Sequence, residues 1–466
     1  MGRISKAATA ALLAVALAAL AVPVGFNLAP ALFAPAATTQ LLPAAQLAPT
    51  APATLSGVSA LSDAAPLPEP AALGTALDAV FASDVVGDFT AEVTDAATGT
   101  ALYSRNAATA AAPASNLKLL TSLAALSTLG AQRRFSTDVV AGSTPHSIVL
   151  RAGGDSLLGT GESDPRAVVG HAGLKTLADK TAAALKKANI GAVTLATDTS
   201  LFTGPALNPS WDSADVLNGE IAAVYPMALY GARTGPQAPT SDRPANAAAS
   251  VAAAFATALQ GAGIEVTGTV SEAPAGSGAV LASVTSATVA QQVQYLLQVS
   301  DNYVAEVMGR MAAVASGRPG SSAAAAETVQ ATVAGLGLDT AGMVLDDSCG
   351  LAAADRASAR QLAAAVRLMA TSTGRDADLR QALPGLPIAG LTGTLGGRFT
   401  DPVTLPGAGL VRAKTGTLLT VATLTGYVVD GHGRLLVFSF MANGLRDGNK
   451  SALPVLDAAA AKLAAD

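Results

Sequence analysis

A serine and a lysine three residues apart, at the head of an apolar helical run, set the tightest limit on this chain. They are Ser115 and Lys118. Pro113 precedes them, and Leu119, Leu120, Leu123 and Leu126 follow, so the run reads as a helix over 117–129. One helical turn puts both side chains on the same face. A serine hydroxyl is a poor nucleophile until a base takes its proton, and a partly desolvated lysine can be that base. The helix N-terminus adds orphan N–H groups that favour negative charge. The plain alternative is an N-cap serine followed by a surface lysine.

Two later stretches supply the rest of an acyl-transfer site, which needs a proton relay, oxyanion donors and anchoring of the substrate. Ser300, Asp301 and Asn302 form the first. Ser300 can relay a proton, and the Asn302 amide can donate to a substrate carbonyl. The same three residues would also suit a helix N-cap. Lys414, Thr415 and Gly416 form the second, on an apolar strand that continues through Thr417 and Leu418. A lysine and threonine hydroxyls suit a terminal carboxylate. Gly416 would let a ligand backbone lie close to the strand. Thr417 can turn its backbone N–H to the oxyanion. The alternative is an exposed strand lysine beside a turn.

Spacing bears on architecture. Ser300 follows Ser115 by 185 positions (300 − 115), more than a connection within one layer needs. Residues 135–280 therefore read as an inserted α/β region. It has strands near 134–140, 147–151, 192–196 and 264–270, and helices near 167–188 and 251–261. A short helix over 75–82 and a hairpin over 88–104 precede Ser115. Helices over 287–298 and 357–371, strands over 410–418, 421–429 and 434–441, and a helix over 451–465 close the chain. The expected fold class is α/β (α+β), with one catalytic domain built from 75–134 and 281–466.

Composition narrows the class. The 466 residues are 50% hydrophobic, ample for a large core. A net charge of −5 gives no basic surface for nucleic acid. Cys349 is the only cysteine, which rules out an internal disulfide and a thiolate cluster. His146, His171 and His432 are scattered without ligand spacing, so neither metal nor cofactor is expected. Arg3 and Lys6 precede the apolar run Ala7–Val22, and no further charge follows until Asp63. Residues 1–37 read as an export signal or membrane anchor, and 38–74 as a Pro/Ala-rich linker. Either places the remainder outside the cytoplasmic membrane.

The ordered set of three motifs resembles the serine penicillin-recognising enzymes. With its long insert the chain is similar to the low-molecular-mass (class C) penicillin-binding proteins of the D-alanyl-D-alanine carboxypeptidase/endopeptidase type. The likeness also includes Gly154 and Asp155, the run 299–306, Ser358 and Arg360, and the run 390–395. It implies a β-lactamase/transpeptidase-like domain, an antiparallel sheet covered by helices. It makes Ser115 the acylated nucleophile, Lys118 its base, and Ser300 and Lys414 the proton carriers to the leaving group. Asn302 would hold the substrate carbonyl, Thr415 and Thr417 the carboxylate, and the N–H groups of Ser115 and Thr417 the oxyanion. Peptidoglycan stem peptides are the implied substrates and β-lactams the implied inhibitors. A β-lactamase, or a non-catalytic wall-binding or sensor protein of the same fold, are the rivals. Glu306 and Glu327, the only glutamates between the second and third motifs, lack the context for the deacylating glutamate of one β-lactamase class. One departure stands out. Where the family has Asp-Gly-Ser-Gly-Leu-Ser, this chain has Ser348, Cys349 and Ala352 between Asp347 and the loop's end. Cys349 is expected as a small buried residue rather than a reactive thiol.

Overall fold

Strands from both ends of the described stretch meet in one antiparallel sheet. A computed structural model describes residues 61–236, 242–276 and 278–465. The sheet runs in the order Arg412–Leu418, Val421–Val429, Leu435–Asn443, Asp88–Asp95, Ala101–Arg105. The first and the last of the described strands pair from Asp88↔Asn443 to Asp95↔Leu436. Period-two alternation along Leu435–Asn443 explains why both faces must be covered. Leu436, Phe438, Phe440 and Ala442 join one core with the helices Pro70–Phe81 and Leu453–Ala465. Val437 and Met441 face the other way, into a second core. That core holds the helices Leu117–Leu129, Val289–Val299, Asn302–Ala315, Ser322–Gly335 and Ala359–Thr371. Val93, packed against Phe438 across the sheet, belongs to the first.

The long connection after Leu117–Leu129 builds a second sheet. Its order is Val280–Thr285, Ser136–Ala141, Ser147–Arg151, Ala192–Asp198, Glu265–Glu272. The first three strands are antiparallel and the last two pairings parallel. The helices Leu174–Lys187 and Ala247–Gly261 bury their apolar stripes on it. This sheet ends at Thr285, five residues beyond the boundary at 280 read from the sequence.

Several expected elements shift. The first helix starts at Pro70, inside the expected linker, because Glu69 caps it by accepting the Ala72 N–H and proline occupies the first turn. The helix expected over 167–188 begins only at Leu174, since Gly170 takes φ +79° and Gly173 remains extended as the cap. Ser322–Gly335 forms a helix that the alanine-rich stretch does not announce, having no distinct apolar stripe. The export signal or anchor at 1–37 and the linker up to residue 60 lie outside the described residues. Among the described residues no helix is long and apolar enough to cross a membrane.

Asp155, in the short strand Asp155–Leu158, is a buried acid with one N–H donor, that of Leu157 at 2.9 Å. Burial pushes its pKa up to about 7. The folded state therefore holds the proton more tightly than the unfolded chain. Its stability contribution is intact below about pH 4 and is lost as pH rises towards 7. Asp155→Asn should gain stability relative to the parent between pH 5 and pH 8, by on the order of 2–4 kcal/mol. Denaturant midpoints of both proteins across that range check it. A difference that stays flat with pH would remove the account.

Candidate active site

Ser115 sits in a 3-10 turn, Ala114–Asn116, that leads directly into the helix Leu117–Leu129. The turn is bolted to the sheet at two points. Asn116 Nδ2 donates to Thr425 Oγ1 at 2.8 Å, and Thr423 Oγ1 donates to the Pro113 carbonyl at 3.0 Å. Ala114 is held at φ +47°, a conformation that costs a non-glycine residue energy and persists only where its surroundings enforce it.

Lys118 lies one turn on and is fully buried. Its Nζ is 2.8 Å from Ser115 Oγ, 2.6 Å from Asn302 Oδ1 and 2.6 Å from the Cys349 carbonyl. Burial pushes its pKa below the ordinary lysine range, while Asp347, Asp301 and Glu306 pull the other way. A neutral amine has two N–H donors and one lone pair. Two carbonyl oxygens take the donors, which leaves the lone pair for the Ser115 hydroxyl. This is the arrangement a general base requires.

Ser300 caps the helix Val289–Val299 in the left-handed region, φ +60° and ψ +38°. Asp301 then starts the helix Asn302–Ala315 by accepting the Val304 N–H at 3.0 Å. The cap role weighed for this stretch is thus real but falls to Asp301, and the sharp bend between two helices frees Ser300 to face the cleft. Lys414 Nζ reaches Ser300 Oγ at 2.8 Å and the Thr415 carbonyl at 2.6 Å. It too is fully buried, and burial, then repulsion from Lys118, pushes its pKa well down. Its strand, Arg412–Leu418, is the sheet's edge, so one row of its backbone groups faces the cleft.

All eight residues singled out from the sequence converge here. Seven of them line the cleft or bond across its floor; Gly416 does something else. A Cβ on it would stand 2.2 Å from Thr423 Oγ1 and 3.0 Å from the Pro113 carbonyl. The nearest atoms to that position belong first to the neighbouring strand and then to the turn before Ser115, so packing within the protein already calls for glycine. Thr417 is exposed on the strand, while Thr415 is buried and shares a hydroxyl hydrogen bond with Thr394 at 2.7 Å. One amide hydrogen of Asn302 is already used, by the Glu220 carbonyl at 2.9 Å.

The loop after Met343 is organised by Asp347. Its carboxylate accepts from the N–H groups of Cys349, Gly350, Leu351 and Ala352 and from Trp211 Nε1. With its lone pairs so engaged, the nearby set of Glu306, Asp347 and Cys349 has little left to offer a cation. Cys349 is buried, donates its thiol to Asp347 at 3.3 Å, and has its pKa pushed well up by burial. It is a packed small residue, and its backbone carbonyl, not its sulfur, meets Lys118. Glu306 is fully buried and accepts the Ser348 N–H at 2.6 Å, with burial pushing its pKa up to about 7. It has no access to a water in the cleft.

The cleft has a volume of about 1190 Å³, and its wall includes Trp211, Glu220, Arg233 and Arg243 from the long connection after Leu117–Leu129. Sequence reasoning missed these four. They stand in no local pattern with the motifs and reach them only through the tertiary fold.

A family described as D-Ala-D-Ala carboxypeptidase 3 (S13) matches residues 73–243 and 227–465. Carboxypeptidase DacB of Mycolicibacterium smegmatis is 36% identical over 451 residues, 96% of this chain and 95% of that one. The D-alanyl-D-alanine carboxypeptidase of Actinomadura sp. strain R39 is 31% identical over 441 residues, 80% of each chain. In fold, penicillin binding protein 4 from Haemophilus influenzae superposes with a TM-score of 0.66 at 20% identity, covering 84% of this chain and 98% of that one.

Proposed function

We propose that this chain, which belongs to the S13 D-Ala-D-Ala carboxypeptidase family, hydrolyses the D-Ala–D-Ala bond of peptidoglycan stem peptides, or the D,D cross-link, through an ester on Ser115. The observation that carries the reading is the Lys118 amine, fully buried, 2.8 Å from Ser115 Oγ and bonded on its other sides to two carbonyl oxygens. No metal or cofactor is called for.

Lys118 takes the Ser115 proton as Oγ attacks the carbonyl carbon of the penultimate D-Ala. The N–H groups of Ser115 and Thr417 face the oxyanion that forms. As the C–N bond breaks, the proton taken by Lys118 passes to the departing amine by way of Ser300, which Lys414 holds at 2.8 Å, and Lys118 is neutral again. Water then adds to the ester and releases the shortened peptide, with Lys118 again handling the proton. Thr415 and Thr417 hold the substrate's terminal carboxylate, with the second amide hydrogen of Asn302 on the acyl side. A β-lactam carries a comparable amide and carboxylate and would leave Ser115 esterified. Such a substrate lies outside the cytoplasmic membrane, consistent with the charged start and apolar run at Ala7–Val22.

The test is mass spectrometry of the purified protein after exposure to penicillin, followed by incubation with linear and cross-linked muropeptides. An adduct on the Ser115 peptide and release of D-Ala, or of two separated stems, are expected. An unmodified Ser115 peptide would sink the reading. Rapid nitrocefin turnover would move it to a β-lactamase.

The pH dependence follows from Lys118. The base works in its neutral form, and burial lowers its pKa. The acylation rate should climb as pH rises and reach its plateau below the ordinary lysine pKa of about 10.4. A profile still rising at pH 10 would mean that Lys118 is not the group being deprotonated.

A further inference from the structure

Lys118 can aim its lone pair at Ser115 only if the two carbonyl oxygens that occupy its N–H groups stay in place. Neither oxygen is held by the catalytic domain alone. The Cys349 carbonyl belongs to the loop whose four N–H groups converge on Asp347. That carboxylate is in turn held by Trp211 Nε1 at 2.9 Å, and the neighbouring Asp346 carbonyl accepts from Asn208 Nδ2 at 2.8 Å. Trp211 and Asn208 both come from the inserted region.

The second oxygen, Asn302 Oδ1, is fixed by the other end of the same amide, Nδ2, which donates to the Glu220 carbonyl at 2.9 Å. These two bonds also settle which way the amide points. Reversed, it would set NH₂ against the lysine and oxygen against oxygen. Arg243 holds the Glu220 loop. Its guanidinium donates to the Gly219 carbonyl, to the Gly231 carbonyl at 2.8 Å and to the Glu220 carbonyl at 3.4 Å. Arg233 adds an ion pair to Asp301 Oδ2 at 2.8 Å, and the Tyr225 N–H donates to Tyr303 Oη at 2.8 Å. All of these are contributed by residues 208–243.

We infer that the inserted region orients the general base, with Trp211 and Arg243 as positioning residues that act through Asp347–Cys349 and Glu220–Asn302 on Lys118. This rests on the acyl-enzyme reading above. On this account the insert is more than a wall for substrate. It grips the base at two points, through a backbone and an amide oxygen, and loosening either grip lets the amine turn its lone pair away from Ser115.

The experiment compares the full chain with Trp211→Phe, Arg243→Lys and Arg243→Gln. It reads the rate constant of Ser115 acylation at saturating penicillin, the half-saturating concentration and the thermal midpoint. Trp211→Phe keeps the ring packing and removes one donor. Its acylation rate constant should fall about tenfold, part of the 10²–10⁴ that a positioned base supplies, with half-saturation within twofold. Arg243→Gln should show the same split, and Arg243→Lys should recover part of the rate because it keeps a donor to the carbonyls. Rate constants within twofold of the natural chain, or a loss confined to half-saturation, would overturn the inference. So would an equal drop for Arg243→Lys and Arg243→Gln that only follows their thermal midpoints. If Trp211→Phe does not fold, the Arg243 pair decides alone. A natural chain that forms no Ser115 adduct would overturn the acyl-enzyme reading itself. Normal labelling of the natural chain and its variants alike would overturn this inference only.

Discussion

Lys118→Met should slow acylation of Ser115 by about 10²–10⁴-fold, with the protein still folded. Methionine nearly matches the lysine stem in length and volume, so the packing around a fully buried side chain is largely kept. What goes is the amine 2.8 Å from Ser115 Oγ. A serine hydroxyl without a base remains protonated at neutral pH. Lys414 cannot replace the amine, because its Nζ is already committed to Ser300 and the Thr415 carbonyl. The variant also strands the Cys349 carbonyl and Asn302 Oδ1 without a donor, at roughly 1–3 kcal/mol each. The parent, for its part, bears the desolvation of a buried amine, so the net stability change should be small. Rates of covalent penicillin labelling, followed by intact-protein mass, check the first point, and thermal midpoints check the second. Labelling at near-parental rate would remove Lys118 from the mechanism.

Gly350→Ala should be as damaging to labelling while changing no group that touches substrate. Gly350 stands at φ +89°, a region that L side chains rarely adopt. A Cβ there would lie 1.9 Å from the Ala114 carbonyl and 3.0 Å from the Ser115 nitrogen, both backbone atoms of the nucleophile's turn. Neither can yield as a flexible side chain could. Ala114 is itself already strained at φ +47°. The added methyl must push the turn off the loop, carry Ser115 away from Lys118 and disturb the Cys349 carbonyl next in the chain. We expect a stability loss of about 3 kcal/mol or more and at least 10²-fold slower labelling. Alanine at Gly337, also at positive φ (+92°) but with no atom within 4 Å of the added Cβ, is the matched control and should cost only the backbone strain. Equal behaviour of the two variants would show that the close approach is not required.

Much of the catalytic domain was legible because its signals are local. The strand read over 421–429 has those same ends, and the hairpin read over 88–104 opens with the strand Asp88–Asp95. The apolar run after Ser115 gave the helix Leu117–Leu129 without a shift. Signals failed where another effect governed. Pro70 extended the first helix back into a stretch read as linker. Gly170 and Gly173 kept seven residues out of a helix that periodicity alone would include. A glycine in a strand declares that something comes near without saying what, and at Gly416 only the fold shows that a Cβ would meet Thr423 and Pro113.

What the sequence determined by itself was the chemistry: a serine and a lysine one turn apart, a second serine with an asparagine, and a lysine-threonine strand. These are covalent facts of residue type and short spacing, and short-range physics places them on a helix, a bend and a strand. What only the tertiary structure decided was the aim of the amine. That depends on the Cys349 carbonyl, the Asn302 amide, and the Trp211 and Arg243 side chains. They lie tens to hundreds of residues from Lys118 in sequence. A hydrogen bond carries no trace in the spacing of its partners when the chain between them folds back through a second sheet. The base is set by contacts that exist only once residues 208–243 have packed back onto the helices Leu117–Leu129 and Asn302–Ala315.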